Sequence, residues 1–471
     1  MKDKRITWVL FLISGLFLAL IVYITAIVLI NGDKYAQSSL NARALIREES
    51  VLRGSIYDAN GEKLAYSEID DDEQKRHYPF KNLYSHVIGY SSRNYGKSFL
   101  EKAYNSFLVG NDGLNVFLNI DKAIRGEIKD GYDLHLTVDH PTQKRASELM
   151  SGYRGALVAL NPQTGEIIAM VSKPDFNPHE ASLKSNWGKL NSDDNAPFLN
   201  RASMGLYPPG STFKMVTAAI MHLQGMQDYT VDDETGKFET GGHTISNTRN
   251  SILGETNIEK AFTRSSNVYF AKVGSELTSD AFAGMVSKLM FNSSLQGDFP
   301  HAQSRFYADD MKDTDKAVTA IGQGKTLMSP LHLAMITGAI ANGGTMMKPY
   351  IVSSVKTNGG IPIKTASPEV LSYAIPPETA EFVKGLMVDT VDSGTGTNAR
   401  ISGIKVGGKT GTAENELTEE NPEKTHALFV AFAPAENPEI AVAVVLEHAG
   451  STGGSIAAPI ARGVIKKYLG K

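Results

Sequence analysis

Between Ile6 and Ile30 the sequence ITWVLFLISGLFLALIVYITAIVLI runs 25 residues without a charged side chain. A segment of that kind satisfies its backbone hydrogen bonds in lipid only as a helix, and its length crosses roughly 30 Å of hydrocarbon with some tilt. The apolar core of a secretory signal peptide is shorter, about 7–15 residues, and ends at a small-x-small site. This run instead leads into NGDKYAQ. A membrane span over residues 6–30 is therefore expected. Lys2, Lys4 and Arg5 precede it and Lys34 follows, a bias that keeps residues 1–5 in the cytoplasm and exports the remainder.

What is exported must fold outside the cell. The whole chain has 471 residues, 42% of them hydrophobic, enough for two or three domains with a true core. It has no cysteine, so neither disulfides nor thiolate metal sites enter the argument. Lys and Arg number 47 against 51 Asp and Glu, and no long basic stripe exists to cover a phosphate backbone. Nucleic acid is not expected as a partner.

From about Ala42 to Tyr132 the chain is polar and rich in turn residues. RGSIYDANGEKLA (Arg53–Ala65) predicts two short strands around an Asn-Gly turn. The charge run EIDDDEQKRH (Glu68–His77) predicts a solvated loop. DLHLTVDHPTQKRASELM (Asp133–Met150) pairs an alternating strand with Asp139 and Pro141, the cap and first turn of an amphipathic helix. We place the boundary of a larger domain there, giving a non-catalytic domain over 31–132 and a second domain over 133–471. In that second domain Arg154–Ser172 predicts an apolar hairpin, helical stretches follow, and strands return at Val406–Glu414 and His426–Gly450 before a closing helix at Ile456–Leu469. Strands at both ends with helices between imply an α+β fold: one antiparallel sheet closed by the two ends, with helices on its faces and a helical lobe inserted.

The stretch YPPGSTFKM (Tyr207–Met215) poses the chemical question. Phe213, Val216, Ile220 and Leu223 fall at helical spacing, so a helix with one buried face starts near Ser211, where backbone N–H groups favour developing negative charge. Lys214 lies one turn on, within reach of the serine hydroxyl, and burial would make it a base. The pattern S-x-x-K by itself is weak, for it recurs at Ser353–Lys356 and Ser402–Lys405, and a plain helix cap explains Ser211 equally well. Two companions decide between these readings. Ser265-Ser266-Asn267 falls between the amphipathic segments Ile258–Phe262 and Phe270–Leu277, and so forms a turn. Lys409-Thr410-Gly411 sits on a strand whose Gly407, Gly408 and Gly411 leave room for a ligand backbone.

S-x-x-K, S-x-N and K-T-G in this order resemble the signature set of penicillin-binding proteins and serine β-lactamases. The resemblance extends to GALVALNPQTGEIIAMVSKPDFNP and to IGQGKTLMSPLHLAMITGAIANGG (Ile321–Gly344). Upstream, RGSIYDANGEKLA and HVIGY (His86–Tyr90) resemble the small N-terminal domain of the class B, monofunctional members. The resemblance implies a peptidoglycan D,D-transpeptidase needing no metal or cofactor. Ser211 would be the nucleophile, Lys214 its base and Ser265 a proton relay. Lys409 would supply positive potential, Asn267 would hold the peptide amide, and Thr410, Gly411 and Thr412 would bind the carboxylate end and backbone of the substrate. Backbone N–H groups of Ser211 and Thr412 would form the oxyanion hole. Its donor is a D-Ala-D-Ala stem peptide, its acceptor an amine of a neighbouring stem, and β-lactams are its inhibitors. None of Glu276, Glu369, Glu378 and Glu381 begins an E-x-x-x-N segment, so the sequence gives no support for the fast deacylation route of class A β-lactamases. A carboxypeptidase or β-lactamase activity, or a sensor role, are the alternatives. Roughly 90 residues before Asp133 are too few for a glycosyltransferase domain, which points to a separate membrane glycosyltransferase as partner.

Overall fold

The computed structural model describes residues 4–36, 51–70, 73–111, 115, 118–125, 127–308, 310–415, 417, 418, 421 and 424–471. Helix α1 (Lys4–Ala36) contains the apolar run; its Trp8–Thr25 window has a mean hydropathy of 2.5 and none of it is buried against the protein. Next come β1 (Ile56–Tyr57) and β2 (Lys63–Asp70), joined through Asn60 and Gly61, where Gly61 takes a positive φ of 86°. β2 continues into a hairpin with β3 (Glu73–His77), so the charge run expected as a loop is largely paired strand, with Glu68 opposite Lys75 and Ser67 opposite Arg76. Asp71 and Asp72 of that run lie outside the described residues. Cross-strand pairing of opposite charges is what lets so polar a stretch hold a ladder.

β4 (Asp133–Leu136) leads into α2 (His140–Leu149), whose N-cap Asp139 accepts from Thr142 N, with Pro141 in the first turn as expected. β5 (Gly155–Leu160) and β6 (Ile167–Lys173) form the apolar hairpin. A 3₁₀ turn (Gly210–Phe213) then feeds α3 (Lys214–Leu223), followed by α4 (Ile258–Arg264), α5 (Asn267–Glu276), α6 (Asp313–Ala320) and α7 (Pro330–Ala341). β7 (Val352–Lys356), β8 (Pro362–Thr365) and α8 (Pro377–Ser393) precede the late strands β9 (Gly407–Ala413), β10 (His426–Ala433) and β11 (Ile440–Leu446), and α9 (Gly453–Tyr468) closes the chain.

The principal sheet has the order β6-β5-β11-β10-β9 and is antiparallel throughout. Both its faces are covered, which is why β5, β10 and β11 read as continuous apolar runs rather than as alternation. Leu157, Ala159, Val442 and Val444 face a core with Ala146 of α2 and Ile460 and Val464 of α9. Val158, Leu160, Ala443 and Val445 face the larger core with Met335, Ile336 and Ile340 of α7. A second sheet, ordered β8-β7-β4-β1-β2-β3, joins strands from both halves of the sequence. In it β4 pairs in parallel with β1 (Leu134 opposite Ile56) and antiparallel with β7 (Leu134 opposite Val355).

Candidate active site

Lys214 opens α3, one turn after Ser211 in the preceding 3₁₀ turn. The expected single buried face is exceeded: every residue from Lys214 to Met221 is buried, because α3 is an interior helix rather than a surface one. Lys214 and Lys409 are both fully buried, among the largest fully buried side chains of the chain. Burial of a charge without a counter-ion is costly, so burial favours the neutral amine. Desolvation, and then the neighbouring charge of Lys409, hold Lys214 well below the ordinary lysine value. Desolvation lowers Lys409 to about 7.

The turn between α4 and α5 brings the second motif to these lysines. Ser265 caps α4 in the left-handed conformation, with φ 58°. Lys214 Nζ donates to Ser265 O at 2.9 Å and to Asn267 Oδ1 at 2.7 Å, and lies 3.3 Å from Ser265 Oγ. From the other side Lys409 Nζ donates to the same Ser265 Oγ at 2.8 Å and to Thr410 O at 3.2 Å. Ser265 Oγ is thus the bridge between two buried amines. A neutral amine has two N–H donors and one lone pair. With both donors of Lys214 placed on Ser265 O and Asn267 Oδ1, its lone pair is left for a hydroxyl proton.

The Ser211 hydroxyl forms no hydrogen bond among the described residues, and the expected contact between it and Lys214 is not made here; the amine is turned to Ser265 and Asn267 instead. The geometry still sets Ser211 beside the third motif. A side-chain carbon on Gly210 would lie 2.4 Å from Thr412 O, and one on Gly411 would lie 2.9 Å from Thr212 Cγ2. Gly210 N donates to Gly322 O at 2.8 Å, so the Gly-Gln-Gly segment butts against the same turn. β9 is the terminal strand of its sheet, with no strand on its outer side. Thr412 is exposed there, whereas the Thr410 hydroxyl is engaged with that of Thr395 at 2.8 Å.

Several supporting residues carry no sequence signature. Asn247 and Ser246 hold the Ser266-Asn267 turn. Thr395 orients Thr410. Glu447 receives Tyr207 Oη at 2.6 Å and Arg201 Nε at 2.8 Å, and pairs with Arg154, fixing the chain just ahead of the Pro-Pro-Gly turn. Burial alone would raise the Glu447 carboxyl, but the tyrosine and the two guanidinium groups hold it below the usual range. A polar side chain in a loop has no periodicity to betray it; only the turn composition of SNTRNS hinted at structure around Asn247. Among the described residues no group of three or more His, Cys, Asp or Glu is placed to hold a metal ion.

Comparison with known proteins agrees with this geometry. Residues 155–466 match the penicillin binding protein transpeptidase domain, and residues 53–134 match the penicillin binding protein A dimerisation domain. A relative from Mycolicibacterium smegmatis, the peptidoglycan D,D-transpeptidase PbpA, is 32% identical over 456 residues, covering 91% of either chain. Penicillin-binding protein A from M. tuberculosis, solved as a penicillin G acyl-enzyme complex, superposes with a TM-score of 0.83 at 30% identity, over 89% of this chain and 100% of that one. A D,D-transpeptidase domain from Eggerthella lenta gives a TM-score of 0.80 at 33% identity, over 89% of this chain and 99% of that one. Three motifs meeting at Ser265, on a fold shared along nearly its whole length with these proteins, place the chain in the penicillin-binding protein transpeptidase family.

Proposed function

We propose that this chain is a peptidoglycan D,D-transpeptidase working through a serine acyl-enzyme. The observation that carries this reading is the fully buried Lys214 amine, held against Ser265 O, Ser265 Oγ and Asn267 Oδ1 with no carboxylate beside it among the described residues, where desolvation favours the neutral form that can take a hydroxyl proton. Ser211 Oγ attacks the carbonyl between the two terminal D-alanines and passes its proton to Lys214. The tetrahedral oxyanion lies between the backbone N–H groups of Ser211 and Thr412, each such donor being worth roughly 3 kcal/mol in the transition state. Collapse breaks the C–N bond, and the leaving D-alanine nitrogen takes a proton delivered through Ser265 Oγ. The acyl group stays on Ser211. An amine of a neighbouring stem peptide then attacks the ester and restores the serine. Lys409, Thr410 and Thr412 receive the substrate carboxylate, Asn267 its amide, and the outer edge of β9 its backbone along Gly411. A β-lactam follows the same first step and stops at the ester.

The catalytic region, 133–471 in this reading, stands outside the membrane, anchored by residues 6–30 with residues 1–5 in the cytoplasm, and the 31–132 domain is non-catalytic. A chain of this design links glycan strands that a separate membrane glycosyltransferase polymerises. Fluorescent penicillin is expected to label the wild-type chain covalently and to leave Ser211→Ala unlabelled; labelling of the variant would overturn the nucleophile. With lipid-linked precursor and a polymerase supplied, cross-linked dimers are expected. Release of D-alanine without dimers would make the enzyme a carboxypeptidase.

A further inference from the structure

The second motif does not hold itself in place. α5 begins inside the protein, and its first backbone N–H groups need acceptors that a helix cannot supply to itself. Ser266 Oγ accepts from Tyr269 N at 3.1 Å. The next two donors, Asn267 N and Val268 N, both end on Asn247 Oδ1, at 2.8 and 3.1 Å, and Ser266 Oγ donates to the same oxygen at 3.1 Å. One amide oxygen, on a residue only 4% exposed, therefore carries three donors from three consecutive residues, Ser266, Asn267 and Val268, two of them in the motif. Its nitrogen is fixed in turn, donating to Asp233 Oδ2 at 2.6 Å and to Ser251 O at 2.9 Å.

The same loop also sets the direction of the Asn267 side chain. Asn267 Nδ2 donates to Ser246 O at 2.8 Å, and a carbonyl can face only the nitrogen of that amide. Asn267 Oδ1 must then point the other way, where Lys214 Nζ meets it at 2.7 Å. Two neighbouring residues thus hold both the backbone and the amide orientation of the residue on which the proposed base rests. The chain pays for this local geometry, since Arg249 and Asn250 take φ of 58° and 51°, the left-handed region that ordinary residues avoid.

We infer that Asn247, braced by Asp233, is a positioning residue for acylation: through Asn267 it aims the Lys214 lone pair at the reacting hydroxyl. The inference rests on the proposed acyl-enzyme chemistry and deepens it. Loss of the Asn247 amide frees Asn267 to turn, and a misplacement on the order of 1 Å at a reacting group costs on the order of 10²-fold in rate.

The test measures acylation of the full chain in detergent by fluorescent penicillin, separating the acylation rate constant k2 from the dissociation constant Kd of the non-covalent complex. Asn247→Ala is expected to lower k2 by on the order of 10²-fold. Its Kd should change far less than k2, because Asn267 supplies one of several contacts to the substrate, and those of Lys409, Thr410, Thr412 and the β9 edge stay in place. Asn247→Asp sets a carboxylate against Asp233 and should be impaired as well. The exchange Asn247→Asp with Asp233→Asn restores one donor facing one acceptor, and should recover at least about tenfold in k2 over the single variant, a coupling that only interacting residues show. If the alanine variant does not fold, the comparison of the aspartate variant with the exchange decides alone. A k2 near wild type in any folded single variant, a loss confined to Kd, or an exchange no better than the single variant would each overturn the inference. Failure of the acyl-enzyme reading itself looks different, since wild type would then not be labelled at all.

Discussion

Ser265 Oγ stands between Lys214 Nζ and Lys409 Nζ, at 3.3 and 2.8 Å, and the two amines are asked for opposite charge states. In the proposed mechanism Lys214 serves as a base only when neutral, and Lys409 attracts a carboxylate only when protonated. Burial lowers both, Lys409 to about 7 and Lys214 well below the ordinary value under the added charge of Lys409. For the free enzyme the second-order acylation constant is therefore expected to be bell-shaped in pH. It rises as Lys214 loses its proton and falls as Lys409 loses its own, near pH 7. Lys409→Arg keeps a fixed positive charge at the site, since guanidinium does not titrate in this range, and should move the alkaline limb upward. An alkaline limb that stays in place, read from labelling rates across pH, would remove Lys409 from this role. No carboxylate pairs with either lysine among the described residues, so nothing restores the charge that burial removes.

At the level of elements, the active site is an assembly of loop ends pressed together, and two glycines make the closest approach possible. Gly322 has φ 76°, and a side-chain carbon there would lie 1.9 Å from Gly210 O. Gly210 N in turn donates to Gly322 O. Gly322→Ala should therefore cost about 2–4 kcal/mol, combining left-handed strain with a backbone clash. It should also slow acylation, because the displaced element is the turn that carries Ser211. Chemical denaturation and labelling rate measure the two effects together. Much of this assembly was legible beforehand. Ser211, Lys214, Ser265, Asn267 and Lys409 stand at helix starts, turns and a strand that periodicity and glycine placement mark out in the chain. The apolar hairpin at Gly155–Lys173 and the late strands were equally plain, since a doubly covered sheet writes itself as unbroken apolar runs. What stayed hidden has a physical reason in each case. Asn247 acts through its amide from just past the hairpin of Lys237–Thr240 with His243–Ser246, where side chains follow no period. The Glu68–His77 ladder is held by cross-strand charge pairing, which on the page looks the same as a solvated charge run. The full burial of α3 depends on helices far away in sequence that close over its outer side.

Across the whole molecule, the second sheet ties the N-terminal part to the catalytic part. β4 is hydrogen-bonded to β1 on one side and to β7 on the other, and Tyr104 Oη donates to Asp298 Oδ2, whose carboxylate also receives Ile351 N and Val352 N. The N-terminal part is itself pinned by a buried carboxylate: Glu101 is fully buried and pairs with Arg53 at 2.6 Å and with Arg76 at 2.7 Å. Burial would raise the Glu101 carboxyl, but the two guanidinium groups outweigh it and hold it below the usual range. Its contribution is therefore complete above the unfolded carboxyl value and disappears as pH falls through the lowered folded one. Glu101→Ala strands two buried cations and is expected to cost about 3–5 kcal/mol at pH 7. With the sheet shared, the loss should appear as a lower melting temperature of one cooperative transition, including the signal from the catalytic part; two separate transitions would show that the halves unfold independently. The free outer edge of β9 has a bearing on how many copies of such a chain can live side by side. Any unpaired strand edge is a template on which a neighbouring chain can add itself. Here the edge is written in glycine, at Gly407, Gly408 and Gly411, residues poor at propagating a sheet. What leaves room for another backbone beside the strand thus also makes the strand a poor seed, and many copies of the chain can crowd together with this edge open without their zipping together.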